Sequence, residues 1–138
     1  MASTTDKPWE GCPIRFGMGI FGDKWTLLIV RDLMFKGKRH YGEFTDPEEK
    51  ISTNILADRL AKLLENGIIS KQPDPANKSK YIYRLTRKGL DLLPMMLAII
   101  DWSEKYDANT EVPKEFVLKL RRNQAEFEQE LIDSIRGI

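Results

Sequence analysis

Cysteine and histidine are scarce in this sequence, which contains one residue of each, Cys12 and His40. A single cysteine cannot form a disulfide within one chain, which is typical of proteins from reducing compartments. One cysteine and one histidine also cannot supply the usual ligand set of a structural zinc site within one chain. We therefore predict that the chain holds no metal of this kind.

Long apolar runs are also missing. No apolar run approaches the length of about 20 residues that a membrane-spanning helix needs. Residues 1–10 are polar and lack the basic start and apolar stretch of a secretory signal, so we expect a cytoplasmic protein with no membrane partner. With 138 residues, 41% of them apolar and 31% charged, the chain has the composition of one ordinary globular domain.

Catalytic motifs are absent as well. The sequence has no histidine-based dyad, no glycine-rich phosphate loop and no carboxylate pair placed by a motif. We therefore predict that the protein is not an enzyme and has neither catalytic residues nor a cofactor.

Positive charge is present but unevenly distributed. The formal net charge is only +1, yet residues 36–39 contain three bases and no acid. Residues 68–89 contain one acid, Asp74, and six bases, which are Lys71, Lys78, Lys80, Arg84, Arg87 and Lys88. A localised basic segment favours binding to a polyanion, although a solvated lysine-rich hairpin explains the charge pattern equally well.

Apolar periodicity and capping residues predict a mostly α-helical domain with a small β-hairpin. The predicted elements are helices over 13–21 and 24–35, helical turns over 41–45, a helix from Ser52 to Asn66, strands over 68–72 and 81–85, a helix from Thr86 to about Tyr106, and a last helix from Pro113. Asp23 is the predicted N-cap of the second helix. Pro94 predicts a kink or a later start in the helix that contains it. Residues 73–80 have the composition of a turn.

The helix that begins at Ser52 has the pattern of a DNA-recognition helix. Leucines at 56, 60, 63 and 64 would anchor one face, which leaves Ser52, Thr53 and Asn54 on an outward first turn. Asparagine can pair with adenine in the major groove, and serine or threonine can reach bases or phosphates. The hairpin that follows could place Lys78 and Lys80 on phosphates.

Simpler interpretations of the same residues stay open. Ser52 can act only as a helix cap, and Asn54 can be an ordinary surface residue. Lys78 and Lys80 can serve only to keep a strand edge soluble. The alternative function is therefore a winged-helix module that binds another protein and has no specific DNA site.

Several short motifs, in matching order and spacing, resemble the HxlR family of transcription regulators. They are Cys12-Pro13, FGDKWT over 21–26, YGEF over 41–44, ISTNILADRL over 51–60, LENGII over 64–69, YRLT over 83–86 with Gly89, LP over 93–94 and DW over 101–102. The resemblance covers residues 12–106. It implies a winged helix-turn-helix that dimerises through its terminal helices, binds inverted-repeat operators and usually represses transcription.

The resemblance also implies that the segment from about Ser52 to Asn66 is the recognition helix and that the loop from Pro73 to Lys80 is the wing. Within and beside these segments we predict the residues that contact double-stranded DNA. The expected contacts from the recognition helix are Ser52, Thr53, Asn54, Arg59 and Lys62. Those from the wing and its flank are Lys38, Arg39, Lys78, Lys80 and Arg84. The expected organisation is a flexible arm over 1–11, the winged domain over 12–106, and a linker with a C-terminal helix over 107–138. We expect that last helix to enlarge a homodimer interface, with packing on its own subunit as the alternative.

A signal-responsive role is also open. Several members of this family use a cysteine at the position of Cys12 as a thiol sensor, and a helix N-terminus favours the thiolate. The alternative is that Cys12 is a small buried side chain.

A small-molecule or oxidant effector is a further candidate partner. The aromatic residues considered for its pocket are Trp25, Phe44, Tyr81, Tyr83 and Trp102, although such residues usually belong to the core.

Overall fold

A computed structural model describes residues 10–45 and 48–137. The expected arm over 1–11 therefore lies outside the described residues, apart from its last two. The elements are α1 (Pro13–Phe21), α2 (Thr26–Phe35), a 3-10 turn (Tyr41–Phe44), α3 (Thr53–Glu65), β1 (Ile69–Asp74), β2 (Asn77–Leu85), α4 (Arg87–Leu90), α5 (Leu93–Tyr106), α6 (Lys114–Arg122) and α7 (Gln124–Arg136). The predicted fold class, mostly α with one hairpin, is confirmed.

One apolar core unites these elements. Val30 and Leu33 of α2, Leu56 of α3 and Leu97 of α5 are all buried in it, together with Ile68 just before β1. Burial of side chains from four successive parts of the chain fixes α3 against both the preceding and the following elements. No helix within residues 10–45 and 48–137 is long and apolar enough to cross a membrane.

The hairpin, which we call the wing, is longer and has a tighter turn than predicted. Strands β1 and β2 are antiparallel, with pairs running from Ile69–Leu85 to Asp74–Asn77. Most of the predicted loop over 73–80 is therefore strand. The turn is tight because the Asp74 carboxylate accepts a hydrogen bond from the Ala76 N–H at 2.9 Å. A hydrogen bond of this kind, from an Asp side chain to the main chain two residues later, stabilises a tight turn.

The base of the wing packs closely against the next helix. The Thr86 hydroxyl caps α4 by accepting from the Gly89 N–H at 3.2 Å. A Cβ atom at Gly89 would lie only 2.3 Å from the Ile68 carbonyl oxygen, so no side chain fits there. The chain then begins α5 at Leu93 with Pro94 in its first turn, which confirms the later start that Pro94 allowed.

The predicted last helix is two helices, α6 and α7, which we call the C-terminal pair. Asn123 separates them because it adopts an extended conformation, with φ −155° and ψ 92°, and caps α7 by accepting from the Glu126 N–H at 3.2 Å. Leu120 and Phe127 pack in the core of their own chain. Arg121 also donates to Asp101 of α5 at 2.8 Å. A contribution of this pair to a dimer stays a prediction.

Candidate nucleic-acid interface

The first turn of α3 presents small polar side chains to solvent. Ser52, Thr53 and Asn54 are all exposed. The Ser52 hydroxyl accepts a hydrogen bond from the Ile55 N–H at 3.2 Å, so Ser52 is the N-cap of α3. A hydroxyl in this position can still donate its own proton to a base or a phosphate. The turn thus has the chemistry that a major groove requires.

The opposite face of α3 is fixed in the core. Leu56, Leu60 and Leu63 are at most 3% exposed, and burial of each leucine stabilises the fold by about 1.5–3 kcal/mol. The Tyr41 hydroxyl also donates to the Thr53 carbonyl at 3.0 Å, which ties the 3-10 turn to the start of α3. The outward turn of α3 is therefore held in one orientation.

Asp23 links α2 to α3. Its carboxylate accepts hydrogen bonds from the Trp25 N–H at 2.8 Å, the Thr26 N–H at 3.0 Å and the Thr26 hydroxyl at 2.5 Å. Arg59 of α3 donates to the same carboxylate through Nε at 3.0 Å. Burial alone would raise the pKa of Asp23, but the hydrogen bonds from Thr26, Trp25 and Arg59 together hold it well below its usual range. Asp23 is therefore ionised at neutral pH and joins the two helices.

The other two predicted contacts from α3 are less available to DNA than its first turn. Arg59 is paired with both Asp23 and Asp58. Lys62 is half-buried and lies in the last turn of α3. Nine residues separate it from Thr53, which places it roughly 13 Å further along the helix axis. The positions of Arg59 and Lys62 fit a supporting role better than base contact.

Lys78 and Lys80 lie on β2 close to the turn of the wing. Both are exposed, and neither forms an ion pair with another residue in the described part of the chain. Three further bases of the predicted basic segment have partners within the chain, namely the Tyr81 ring for Lys71, Asp91 for Arg87 and the Asn66 carbonyl for Lys88. Among the described residues, Lys78 and Lys80 are therefore the unpaired bases nearest the turn of the wing, while Arg84 is an unpaired base at the other end of β2.

The remaining predicted flank residues differ in accessibility. Lys38 is half-buried and pairs with Asp32 at 3.3 Å. Arg39 is only 9% exposed, and its Nη1 donates to two main-chain carbonyls at 3.0 and 3.4 Å. We therefore remove Arg39 from the proposed DNA contacts, since a buried guanidinium cannot reach a DNA backbone in this conformation. Arg84 is exposed but lies at the base of the wing, away from its turn.

His40 connects the 3-10 turn to the turn of the wing. Its Nε2 lies 3.0 Å from the Asp74 Oδ2, and its Nδ1 lies 3.0 Å from the Glu43 Oε1. The hydrogen bond with Asp74 and that with Glu43 raise the pKa of His40. Since both ring nitrogens face carboxylates, the geometry favours the doubly protonated imidazolium. No sequence signal pointed to this bridge, because His40 and Asp74 lie far apart along the chain.

Cys12 is half-buried at the N-cap position of α1, where its carbonyl accepts from the Phe16 N–H at 3.0 Å. A role as a thiol sensor stays a prediction. Of the aromatic residues considered for an effector pocket, Tyr81 and Tyr83 line one cavity beside the 3-10 turn. Phe44 and Tyr83 are buried in the core, whereas Trp102 is largely exposed on α5.

A family model described as HxlR-like helix-turn-helix matches residues 20–111. The chain belongs to the HxlR family. Its members are DNA-binding transcription regulators with a winged helix-turn-helix. Among curated HxlR relatives, the chain is 34% identical over 98 residues to the HTH-type transcriptional regulator YdeP of Bacillus subtilis, covering 71% of this chain and 76% of YdeP. It is 32% identical over 96 residues to YodB of the same organism, covering 69% of this chain and 85% of YodB.

Solved structures agree with the family assignment. The reduced form of the B. subtilis regulator YodB superposes with a TM-score of 0.58 at 29% identity, over 72% of this chain and 98% of YodB. The redox regulator HypR in its oxidised form superposes with a TM-score of 0.61 at 28% identity, over 73% of this chain and 100% of HypR. These matches confirm the predicted winged helix-turn-helix. The HxlR match ends at residue 111, before the C-terminal pair begins.

Proposed function

We propose that this HxlR-family protein is a sequence-specific repressor that binds an inverted-repeat DNA site as a homodimer. The observation that carries the proposal is the exposed polar first turn of α3, held on a buried leucine face and followed by a wing with accessible lysines. We call Ser52, Thr53, Asn54, Lys78 and Lys80 the reading surface.

The two parts of the reading surface have different tasks in this proposal. The α3 turn enters the major groove, where the Asn54 amide pairs with a base edge and the Ser52 and Thr53 hydroxyls contact bases or phosphates. Lys78 and Lys80 contact the phosphate backbone, which adds affinity without sequence information. Asp23 and the core leucines keep the α3 turn in the orientation that base contact requires.

The homodimer is supported by apolar side chains that this single chain leaves in solvent. Ile14 and Phe16 of α1 are each 69% exposed, and Trp102 and Tyr106 of α5 are 64% and 73% exposed. The Trp102 and Tyr106 rings lie together, with their centroids 5.2 Å apart, and contiguous exposed apolar groups are typical of protein interfaces. We therefore assign α1 and α5 to the contact between the two copies, which would set the spacing of two α3 helices on DNA.

Selection of duplexes from a random pool by the purified protein tests the proposal. The expected product is an inverted repeat whose half-sites lie about one helical turn apart. Enrichment of a single half-site would contradict the dimeric arrangement. Enrichment of no sequence, with weak binding to every duplex, would favour the alternative of a winged-helix module for a protein partner.

A separate experiment tests the dimer surface. Replacing Phe16 or Trp102 with glutamate should convert the protein to a monomer in sedimentation equilibrium, because a charge cannot be buried there without a partner. Lys114→Glu, an exposed change on α6, is the control and should leave the mass unchanged. If the wild-type chain is monomeric on and off its selected duplex, the homodimer is wrong.

Thiol sensing by Cys12 remains a hypothesis that the redox regulators among the relatives support. The selected duplex provides its probe. Diamide takes two electrons from two thiols, so in the proposed homodimer it would join the Cys12 sulfurs of the two copies in a disulfide. This oxidation should change the affinity of the wild-type protein for the duplex and leave Cys12→Ser unaffected. An equal response of both proteins would assign the effect to another group.

A further inference from the structure

A small cavity lies where the base of the wing, the segment before the 3-10 turn and the end of α7 meet. Its volume is about 180 Å³. It is lined by three arginines and four apolar side chains, which are Arg39, Arg84, Arg136, Leu33, Leu85, Leu90 and Ile135. No acidic residue is among them. We call this space the arginine cavity. It lies at the opposite end of the wing from Lys78 and so apart from the reading surface.

Arg39, which lines this cavity, carries an unsatisfied hydrogen-bond donor. The residue is 9% exposed, and its Nε is buried without a hydrogen-bond partner. Its Nη1 is engaged by main-chain carbonyls rather than by a carboxylate. Buried donors without an acceptor are rare in folded proteins and call for an explanation such as an absent ligand.

The positive charges around the cavity also lack a direct counter-charge. Burial and then the charge of Arg84 lower the pKa of Arg39, while Glu43 opposes them. Glu43 does not bind the guanidinium, because its Oε1 accepts from the main-chain N–H groups of Arg39 and His40 at 3.1 and 2.9 Å. Within the described residues, Arg84 and Arg136 form no ion pair. Like charges gathered around one space favour an anion in that space.

The shape and remaining lining specify the kind of anion. A guanidinium group can hold a carboxylate through two parallel hydrogen bonds. Leu85, Leu90 and Ile135 offer apolar contacts to the rest of a ligand. An apolar cavity of roughly 150 Å³ is large enough for benzene. We propose that the arginine cavity binds a small organic carboxylate whose apolar body is about the size of one aromatic ring.

Such a ligand would add a direct link between two parts of the chain that already share the core. Arg136 and Ile135 belong to α7, outside the residues that match the HxlR family, whereas Arg84 belongs to the wing. A carboxylate between them would fix the end of α7 against the base of the wing. The C-terminal pair would then take part in the response to the ligand, a role that cannot be inferred from the family match because that match ends at residue 111.

Calorimetric titration of the full chain with benzoate, without DNA, tests this site independently of the proposed function. Benzoate should bind saturably, and its neutral analogue benzamide should bind at least about tenfold more weakly, because loss of one charge-assisted hydrogen-bonded pair has that effect. Arg136→Gln should weaken benzoate binding by a similar factor. If circular dichroism shows that Arg136→Gln is unfolded, Arg84→Gln provides a second variant.

The matched control is Arg122→Gln, which removes an exposed arginine at the end of α6 that does not line the cavity. It should leave benzoate affinity within about twofold of the wild type, well below the tenfold loss expected for Arg136→Gln. The proposal is overturned if Arg122→Gln and Arg136→Gln have equal effects, if benzamide binds as well as benzoate, or if benzoate does not bind. Tighter binding of inorganic phosphate than of benzoate would overturn the assignment of an organic ligand.

Discussion

Charged side chains are arranged differently on the reading surface and in the structure behind it. At the turn of the wing, Lys78 and Lys80 are exposed and form no ion pair within the described residues. Behind α3, in contrast, the Asp23 carboxylate accepts hydrogen bonds both from Arg59 and from the start of α2. A base in the sequence is therefore a candidate for phosphate contact only when the fold leaves it unpaired.

The largest effect should come from Asp23→Ala, which removes the acceptor of four hydrogen bonds and leaves the buried Thr26 hydroxyl without a partner. We expect a loss of about 2–4 kcal/mol in the free energy of unfolding, from the lost hydrogen bonds and the unsatisfied polar group together. Urea denaturation at pH 7 measures it. Asp91→Ala, at an exposed pair with Arg87, is the control and should change stability by less than about 0.5 kcal/mol.

Asp23 also predicts a pH dependence of stability. Because its pKa is lower in the folded than in the unfolded chain, its contribution is complete above the unfolded value, about 3.9, and is lost as the pH falls through the folded value. Asp23→Asn should therefore flatten the acid side of the stability profile below about pH 5 relative to the wild type. Parallel profiles for the two proteins would show that the carboxylate charge does not support the fold.

Base contact by α3 predicts the next largest effect. Asn54→Ala should cost about 1–3 kcal/mol of binding free energy on the selected duplex and much less on random DNA, because a base-edge contact is lost. Competition binding on both duplexes measures the difference. Asn109→Ala, in the linker before α6, should affect neither. An equal loss on both duplexes would remove Asn54 from the base contacts.

The wing lysines should contribute less per residue and without sequence preference. Lys78→Ala combined with Lys80→Ala should weaken binding to all duplexes by about 0.5–1 kcal/mol per lysine. The slope of log affinity against log salt should become shallower by about 1 per lysine removed. Arg87→Gln, which removes a base that is paired with Asp91, should leave that slope unchanged if the division between free and paired charges is correct. An unchanged slope in the double variant would exclude the wing from phosphate contact.

The smallest effect concerns His40. Because its pKa is raised in the folded chain, the stabilisation from its bridge to Asp74 and Glu43 is complete below about pH 6.5 and is lost as the pH rises through the folded value. The chain has one histidine, so its ring protons give a single titrating signal in NMR. We expect a midpoint above 6.5 that falls toward that value in Asp74→Asn. A midpoint that does not move in this variant would contradict the bridge.

Local features of this molecule were largely predictable from the sequence. Pro94 indicated the later start of α5, and Ser52 indicated the beginning of α3, because both act through neighbours within a few residues. The break at Asn123 was missed, since the apolar stripe continues through it. Asn123 caps a new helix, while the apolar side chains of α6 before it and of α7 after it both face the core.

Pairings between distant residues could not be predicted in this way. Arg59 was expected on DNA because a base on the flank of a recognition helix usually has that role, but the fold places it against Asp23, 36 residues earlier in the chain. Arg39 belongs to a basic segment yet is buried at the arginine cavity. Only packing of the complete core decides which of these charges reach solvent.

The close contact at Gly89 has a consequence for variation in this protein. The main chain of α4 lies directly on the Ile68 carbonyl, with no space for a Cβ atom. A single methyl group at residue 89 would act as a wedge that moves the base of the wing, and a small rotation at the base becomes a larger displacement at the lysine-bearing tip. Gly89→Ala, a minimal change in chemistry, would therefore change the direction in which the whole wing points, since β2 extends nine residues from this contact.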